Sequence, residues 1–446
     1  MGPRFFLMVG FVAMSSCLAA AQQPAAPPAS DASCIECHTK ISPNVVPEWK
    51  QSKHSQQNVG CVACHGGDHT SASDVASVKI PTAETCAQCH QAQVDQYRKG
   101  KHRLALSAMR TMPGVHWTPL IALGDYDGCV ACHRIGSPPK GNELRMSDFG
   151  GTEGQAVGRG GGACDTCHSR HTFSVQEARQ PQACQKCHSG LDHAQWEMYS
   201  SSLHGIRYDL KQRGSLPAEA AAPTCQTCHM QNGDHEVRTA WGYFGLSLPL
   251  PDDPQWAADR SDILKAMAAF GPDGKETTVL SSMKGNEALR YTAAEWQHER
   301  DKMVKVCAQC HSEEYARKRL QMGDDELRES DHLLAEAIRE VAGLYKDKVL
   351  PLPWGRPPYF PFPWLLSLKE PPTVIEKKLQ MMYLEHRMHA FQGAFHNNPD
   401  YAITHGWSEM QSDLAEIKEI AAAIRRKPLT SSTAPKGKGA ATPKAR

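Results

Sequence analysis

One short pattern, Cys-x-x-Cys-His, occurs eight times in this chain of 446 residues and uses sixteen of its seventeen cysteines. Two thiols at this spacing can bond to the vinyl groups of a porphyrin, and the adjacent histidine can bind the iron from one side. The pattern therefore predicts eight covalently bound c-type haems, each with a proximal histidine. The cysteine pairs are Cys34 and Cys37, Cys61 and Cys64, Cys86 and Cys89, Cys129 and Cys132, Cys164 and Cys167, Cys184 and Cys187, Cys225 and Cys228, and Cys307 and Cys310; the histidines are His38, His65, His90, His133, His168, His188, His229 and His311.

Structural zinc is the main alternative for paired cysteines, because two Cys-x-x-Cys pairs can form a zinc ribbon. Zinc does not require a histidine directly after every second cysteine, and every copy here has one. A disulfide framework explains that histidine no better. Haem attachment is the preferred interpretation, and we number the boxes one to eight in chain order.

Fourteen histidines lie outside the boxes, and seven of them fall between the first box and the seventh. A haem that only carries electrons usually has a second, distal imidazole as its sixth iron ligand. Seven such ligands for eight haems leave one iron open to a substrate, which catalysis at iron requires. The seven candidates are His54, His69, His102, His116, His171, His193 and His204; most of the later group, His298, His332, His386, His389, His396 and His405, are predicted to be structural or solvent-exposed, although they could substitute.

An acid and an imidazole, Asp234 and His235, follow closely after the seventh box. A carboxylate beside an imidazole can move protons as a substrate changes its number of hydrogens, so this pair is a candidate for acid–base catalysis. The alternative is that Asp234 caps a turn and His235 is a distal haem ligand. The residues alone leave both interpretations open.

Composition and patterning exclude two classes of partner. A net charge of +1 gives no basic excess for nucleic-acid binding. No stretch approaches the ~18 consecutive apolar residues of a membrane span. The glycine-rich stretch 150–162 lacks the Gly-Lys-Ser/Thr ending of a phosphate-binding loop, so it is predicted to be a flexible connection.

The first residues resemble an export signal, with Arg4, an apolar run over 5–14 and Ala19-Ala20-Ala21 before Gln22. We therefore expect a soluble protein in the periplasm or an equivalent extracytoplasmic compartment. Cys17, the one cysteine outside the boxes, falls within this signal and is predicted to be removed with it. A lipidated Cys17 is the alternative.

The pattern of apolar residues predicts a mainly α-helical multihaem cytochrome c, with a loop-rich haem-binding N-terminal region followed by a long-helix C-terminal bundle. The predicted helices are 256–270, 293–321, 325–346, 374–396 and 408–426, and a capping box at Thr373 and Glu376 begins the fourth. The predicted segments are a signal peptide at 1–21, a disordered lead-in at 22–33, a multihaem region at 34–235 with haems one to seven, a helical region at 236–427 with haem eight and the trimerisation helices, and a disordered basic tail at 428–446.

The eight boxes, the stretch CQTCHMQNGDHEVRTAWG, the run QWAADRSDIL and the C-terminal HRMHAFQGAFHNNPDYAITHGWSEM resemble the hydroxylamine oxidoreductase family of octahaem cytochromes. The resemblance implies that the haem on Cys129, Cys132 and His133 is catalytic and that the other haems are relays with two histidine ligands. It also implies an Asp-His pair in the distal pocket, here assigned to Asp234 and His235. A homotrimer, possibly in a larger complex, is expected from the same resemblance.

In oxidising members of that family, a C-terminal tyrosine of a neighbouring subunit is joined covalently to the catalytic haem. Tyr383 and Tyr401 are the candidates for this cross-link, with Phe391 and Phe395 as alternatives for its position. Members without the tyrosine tend toward reduction of nitrite or nitric oxide. All eight boxes end in histidine, unlike the lysine-ended box at the active haem of the related octahaem and pentahaem reductases.

Three functions follow as expectations. The first is oxidation of hydroxylamine to nitric oxide or nitrite, with electrons passed through the other haems to a redox partner such as a small cytochrome c. The second is reduction of nitrite or nitric oxide, to nitric oxide, hydroxylamine or ammonium, on the same scaffold. The third is electron transfer alone, with all eight irons closed by histidines.

Overall fold

The computed structural model describes residues 31–105, 132–133, 135–136, 164–242, 245–277, 291–352, 361–365 and 373–427. Within these ranges the chain is helical and forms no β-strand, apart from an isolated antiparallel bridge between Phe270 and Glu276. The prediction of a mainly α-helical fold is therefore confirmed. The predicted signal at 1–21, the stretch 150–162, the tail at 428–446, His116 and Cys129 all lie outside the described residues.

The haem-binding half is built from short helices joined by loops. Its described helices are α1 (Asp31–Ile41), α2 (Val45–Gln51), α3 (Lys53–Gln56), α4 (Cys61–His65), α5 (Ala83–Lys99), α6 (Val175–Ala178), α7 (Gln182–Gln185), α8 (Gln195–Ser200), α9 (Leu203–Gln212) and α10 (Cys225–His229), with 3₁₀ turns at Ala72–Ser77, His102–Leu104 and Gln231–Gly233. The lead-in predicted to be disordered reaches too far, because α1 already includes Asp31. The Asp31 carboxylate accepts a hydrogen bond from the Val62 backbone N–H at 2.9 Å, which ties this helix to the second box.

The C-terminal half is a bundle of longer helices around one large apolar core. Its described elements are α11 (Pro254–Ala266), α12 (Ala293–Cys307), α13 (Glu313–Lys346), α14 (Val374–Met381), a π-helical segment (Met382–His386), α15 (Arg387–Phe395), α16 (Pro399–Ala402), a second π-helical segment (Ile403–Trp407) and α17 (Ser408–Arg426). The long helix α13 packs against α11, α15 and α17. Its fully buried Leu334, Ile338 and Val341 lie one helical turn or less apart and form the centre of the core.

Two helix boundaries differ from the prediction. We expected a break at 322–324, whereas the break lies at 308–312 and α13 continues through Gly323. The Ser312 side chain accepts from the Tyr315 backbone N–H and begins α13 directly after the eighth box. A side chain at Gly323 would clash with the Phe395 ring, so this glycine permits helix packing and does not end the helix.

Helices α14 and α17 begin where the sequence predicts. Thr373 caps α14 as expected, with its hydroxyl accepting from the Glu376 backbone N–H, and the predicted helix at 408–426 matches α17. Helix α11 ends at Ala266 instead of 270, and Ala268 just beyond it has a left-handed φ of 57°. No helix among the described residues has the length and apolar character needed to cross a bilayer.

A buried ion cluster fixes α15 in the bundle. Asp331 of α13 is fully buried and accepts hydrogen bonds from Arg260 at 2.9 Å and from Arg387 at 2.9 and 2.7 Å. Burial alone would raise the pKa of Asp331, but the two guanidinium groups hold it below its usual value. Trp256 donates a further bond to the same carboxylate at 2.9 Å. Because removing one partner of such a cluster leaves an uncompensated buried charge, the position of α15 is strongly specified.

Candidate active site

A continuous cavity of ≈ 2680 Å³ runs through the haem-binding half of the molecule. Its wall includes the proximal histidines of all eight boxes, together with the described box cysteines other than Cys37. The packed apolar core beside it is small and includes Ala83 and Val94 of α5 with Cys86 and Tyr97. This wall of thiols and imidazoles has the chemistry of a haem-binding region, so the residues fit a row of covalently attached haems.

Histidine pairs span this cavity at the separation that a haem iron requires. Two metal–nitrogen bonds of about 2 Å each, with the ring centres a further ~1 Å away on both sides, place the two ring centres about 6 Å apart. Six box histidines in the described part of the chain have a second imidazole at this separation. The pairs are His38 and His69 (6.3 Å), His90 and His54 (6.0 Å), His65 and His171 (6.3 Å), His188 and His102 (6.1 Å), His168 and His235 (6.3 Å), and His311 and His204 (6.2 Å).

A seventh box histidine, His229, has His396 as its neighbour. Burial is the main cause that lowers the pKa of His229 to about 4, and the imidazole of His396 lies close enough to lower it further. The Nδ1 of His396 is 2.7 Å from the Gln392 carbonyl oxygen, which leaves its Nε2 for an iron. Sequence reasoning placed His396 among the mostly structural histidines, because nothing in the chain order connects it with the seventh box.

The positions of Asp234 and His235 match the alternative interpretation, in which Asp234 caps a turn and His235 is a distal haem ligand. His235 lies opposite His168 with the two rings inclined by 25°, as a distal ligand of the fifth haem would. Asp234 is exposed, and its carboxylate accepts from the Glu236 backbone N–H at 2.9 Å, as a turn cap would. The geometry therefore does not bring these two residues together as an acid–base pair at the fourth box.

His188 faces two imidazoles, because His193 also lies 6.3 Å from it. The loop that carries His193 returns to the Nδ1 side of His188: the Gln195 carboxamide oxygen is 3.3 Å from that Nδ1, and the Trp196 N–H donates to the His188 carbonyl at 2.8 Å. Since Nδ1 points away from the iron that Nε2 binds, Gln195 and Trp196 anchor the loop that carries His193 on the proximal side. This leaves His102 as the imidazole on the opposite side of the sixth haem.

Among the described residues, His133 of the fourth box is, like His229, a proximal histidine without a second imidazole at 6.0 to 6.3 Å. Its Nδ1 is 2.8 Å from the Ala105 carbonyl oxygen, so its Nε2 is oriented for iron. Burial lowers the pKa of His133, and both His193 and Asp192 lie close enough to act on it electrostatically. The Nδ1 of His193 is 2.8 Å from the Asp192 carboxylate. An Asp-His pair therefore does lie beside the fourth box, although it is not the one that the sequence favoured.

Asp192 was missed because only His193 of this pair was considered, as a distal ligand. The signal was present, since Gly190-Leu191-Asp192-His193 follows the sixth box much as Gly233-Asp234-His235 follows the seventh. The dipeptides Asp192-His193 and Asp234-His235 have the same composition and lie at nearly the same distance from the preceding box. Local sequence gives no reason to prefer one over the other.

The tyrosine candidates lie in different surroundings. Tyr383 is fully buried in the π-helical segment of its own chain, where burial raises its pKa and Asp192 lies close enough to raise it further. Tyr401 is half-buried, with its ring 5.4 Å from His389 and 4.7 Å from His405. Phe391 and Phe395 pack against each other with their ring centres 6.4 Å apart. Of the two tyrosines, Tyr383 therefore faces inward, toward the loop with the Asp-His pair.

The boxes follow one another along the cavity in a fixed order. The thiols of boxes one and two, two and three, three and five, five and six, six and seven, and seven and eight lie within electrostatic or hydrogen-bonding reach of each other. The fourth box is a branch beside the sixth, because the Cys132 Sγ is 4.0 Å from the Lys186 carbonyl oxygen. Electrons that enter or leave at the fourth box therefore have the sixth box as their neighbour.

Two families match parts of the chain. One, described as seven times multi-haem cytochrome CxxCH, matches residues 159–245 and 285–355, and the other, cytochrome c554 and c-prime, matches residues 13–66 and 85–169. Together with the paired imidazoles, these matches define a multihaem c-type cytochrome with covalently bound haems.

A curated relative indicates which multihaem cytochromes this chain resembles. A curated protein of Kuenenia stuttgartiensis, a probable nitrite reductase-hydroxylamine oxidoreductase fusion protein, is 26% identical over 487 residues, which cover 88% of this chain and 51% of that protein. The chain thus spans about half the length of this relative. The chain is therefore similar to multihaem cytochromes of the hydroxylamine oxidoreductase (HAO) type.

Solved structures agree on the fold. A reducing HAO-like protein complex of Kuenenia stuttgartiensis matches with a TM-score of 0.60 and 22% identity, over 89% of this chain and 85% of that chain. A hypothetical multiheme protein matches with a TM-score of 0.59 and 20% identity, over 89% of this chain and 96% of that chain.

Proposed function

We propose that this chain is an octahaem enzyme that oxidises hydroxylamine to nitric oxide or nitrite at the haem of the fourth box. The observation that carries the proposal is the contrast between His133 and the other seven proximal histidines. Six of those seven have a second imidazole at 6.0 to 6.3 Å, and His229 has His396 within electrostatic reach. The described imidazole near His133 is that of His193, whose Nδ1 is instead held by the Asp192 carboxylate at 2.8 Å. When bound there, the haem supplies an open iron position for a small nitrogen compound and a route for its electrons.

In this proposal Asp192 and His193 move the protons. Oxidation of hydroxylamine releases protons together with electrons, and the Nε2 of His193 is the nitrogen that does not face Asp192. The Asp192 carboxylate at Nδ1 fixes the tautomer and stabilises the imidazolium that forms when His193 accepts a proton. His133 orients the haem through its bond to the Ala105 carbonyl oxygen.

A haem bound at the fourth box would pass its electrons to the haem of the sixth box, because the Cys132 Sγ lies 4.0 Å from the Lys186 carbonyl oxygen. From there the order of the boxes offers two arms, toward box one and toward box eight. We propose a small cytochrome c as the redox partner, export to the periplasm or an equivalent compartment, and a homotrimer that uses the helices after Thr373. The relative and the multihaem class support these proposals without specifying the partner.

A second candidate is reduction of nitrite or nitric oxide at the same haem. It is favoured by the burial of Tyr383 inside its own chain, because a phenol in that position does not face a neighbouring subunit. Reduction requires protons to be donated, and the same Asp-His pair can supply them.

Spectroscopy and two assays separate these functions. We expect the oxidised protein to show one high-spin, ligand-binding haem beside low-spin haems, and to turn over hydroxylamine with an added electron acceptor. Faster turnover of nitrite with an added electron donor supports the second candidate. A spectrum with low-spin haems only, and no turnover with either substrate, leaves electron transfer as the function and contradicts both proposals.

A further inference from the structure

The proximal histidine of the sixth haem is held by a side chain, unlike two other proximal histidines. His65 and His133 have a backbone carbonyl oxygen at Nδ1, that of Lys79 at 3.1 Å and that of Ala105 at 2.8 Å. The Nδ1 of His188 instead faces the carboxamide oxygen of Gln195 at 3.3 Å. A side-chain acceptor can be changed by substitution, and its strength depends on its own partners.

Gln195 has such a partner in the C-terminal bundle. Its carboxamide nitrogen donates to the side-chain oxygen of Gln392 at 2.7 Å, across 197 positions of the chain. Gln392 belongs to α15 and is 8% exposed, and its own carboxamide nitrogen lies 4.0 Å from the Met388 sulfur. The two glutamines therefore form a short chain of hydrogen bonds that ends on the His188 imidazole.

The direction of this chain determines its effect. When the Gln195 amide donates to Gln392, its carbonyl oxygen becomes a better acceptor, because hydrogen bonds in series polarise one another. A better acceptor at Nδ1 makes the His188 imidazole a more basic ligand, which stabilises the oxidised iron that it binds. The geometry points to Gln392 as a positioning residue that lowers the reduction potential of the sixth haem through Gln195.

The place of the sixth haem gives this influence a consequence for electron transfer. Its box lies between boxes five and seven, and Cys132 of the fourth box is 4.0 Å from its Lys186 carbonyl. Within the described part of the chain, the contact of the fourth box therefore leads to both arms through this position. Helix α15 is itself held by the bond between Arg387 and Asp331, so the C-terminal bundle sets the potential at the branch point.

Spectroelectrochemical titration of the complete, haem-loaded protein tests the inference without any substrate. In Gln195→Glu a carboxylate replaces the neutral acceptor, and we expect one low-spin component to shift to lower potential. A change from a neutral to a charged acceptor of about 1.4 kcal/mol corresponds to about a tenfold change in the reduction equilibrium, or about 59 mV for one electron. Gln195→Leu removes the acceptor, and the same component should shift in the opposite direction.

The Gln392 variants test the second link of the chain. Gln392→Glu accepts more strongly from the Gln195 amide and is nearly isosteric, so it should lower the same midpoint, by less than Gln195→Glu does. Gln392→Leu should raise it. Gln255→Leu is the matched control, since Gln255 bonds to Asp259 at 3.1 Å outside the cavity and should leave all components unchanged.

The outcomes are distinguishable. Opposite shifts of one component in the Glu and Leu variants at both positions support the inference. Shifts at Gln195 with no shift in either Gln392 variant would refute the role of Gln392. A lowered melting temperature with unchanged midpoints in all four variants would show that both glutamines only hold the loop in place.

Discussion

Substitution of the histidine in each of the two Asp-His pairs is the most direct test of which histidine binds iron and which transfers protons. His193→Gln and His235→Gln remove chemically identical side chains, each directly after an aspartate and close behind a haem box. Their positions differ. His235 faces His168 at 6.3 Å, whereas the loop that carries His193 contacts the Nδ1 of His188 through Gln195, and His193 lies close to His133. We therefore expect opposite results in spectrum and turnover.

The expected spectral change follows from the count of paired imidazoles. Six proximal histidines have a partner at 6.0 to 6.3 Å and His229 has His396 nearby, so our proposal assigns the one open iron to the fourth haem. His235→Gln opens the fifth haem as well, so the high-spin signal should rise about twofold, from one haem to two. His193→Gln should leave that signal unchanged.

Turnover should show the reverse pattern. Loss of a general acid–base group usually lowers the rate by about 10²- to 10⁴-fold, roughly 3 to 5 kcal/mol of transition-state stabilisation. We expect this loss in His193→Gln and in Asp192→Asn, where the amide still accepts from Nδ1 but carries no charge. Asp234→Asn is the control, because its amide oxygen can still accept from the Glu236 N–H and preserve the turn.

Electron paramagnetic resonance of the oxidised protein, with initial rates for hydroxylamine and nitrite, measures both properties on one preparation. A new high-spin haem in His193→Gln would show that His193 is an iron ligand and refute its assignment as a base. An unchanged spectrum in His235→Gln, with a loss of turnover, would return the acid–base role to Asp234 and His235.

Four further predictions follow from the same geometry. The denatured mature chain should carry eight haems by mass, and fewer would contradict the assignment of the boxes. His102→Leu should convert the sixth haem to high-spin, while His332→Leu, whose imidazole bonds to Asp259 outside the cavity, should not. Asp331→Asn should lower the free energy of unfolding by about 3 to 5 kcal/mol, because it leaves Arg260 and Arg387 buried without their anion. The control is Glu329→Gln on the exposed face of α13, which should change the free energy of unfolding by less than ~0.5 kcal/mol. Burial opposes protonation of His386, but the Asp413 carboxylate at 2.6 Å raises the pKa of His386. The stability that this pair adds is therefore present below about pH 6.5 and is lost as the pH rises through the raised pKa. The difference in melting temperature between the wild type and Asp413→Asn should narrow over that range.

The parts of the fold that sequence predicted are those with local causes. A box of five residues contains both thioether cysteines and the proximal histidine, so the prediction needed no tertiary information. The beginning of α14 depends on a cap between Thr373 and Glu376, three residues apart, and was also predicted. The extent of α13 was not, because Gly323 is tolerated there through its packing against Phe395 from another helix.

The distal ligands likewise include features with local causes and features set by packing between distant parts of the chain. His69 was proposed because it lies in the haem-binding half, but its pairing with His38 depends on how the chain folds around the cavity. His396 lies 167 positions after His229, and its role arises because α15 packs onto the haem-binding half. Chain order contains no information about such contacts, so the number of distal histidines was easier to predict than their identity.

The loop at 189–195 explains why Asp192 and His193 are better placed than Asp234 and His235 to act at the fourth box. At one end Gln195 faces the proximal imidazole of the sixth haem, and in its middle Asp192 and His193 lie beside His133 of the fourth. Helix α15 holds both ends of this segment, because His389 Nε2 lies 2.9 Å from the Leu191 carbonyl oxygen while Gln392 accepts from Gln195. In the proposed function, the group that would move protons and the ligand of the haem that would take up electrons are therefore held by one short loop. Because a nitrogen oxidation must remove both from the same substrate, this common support keeps the two transfers in register.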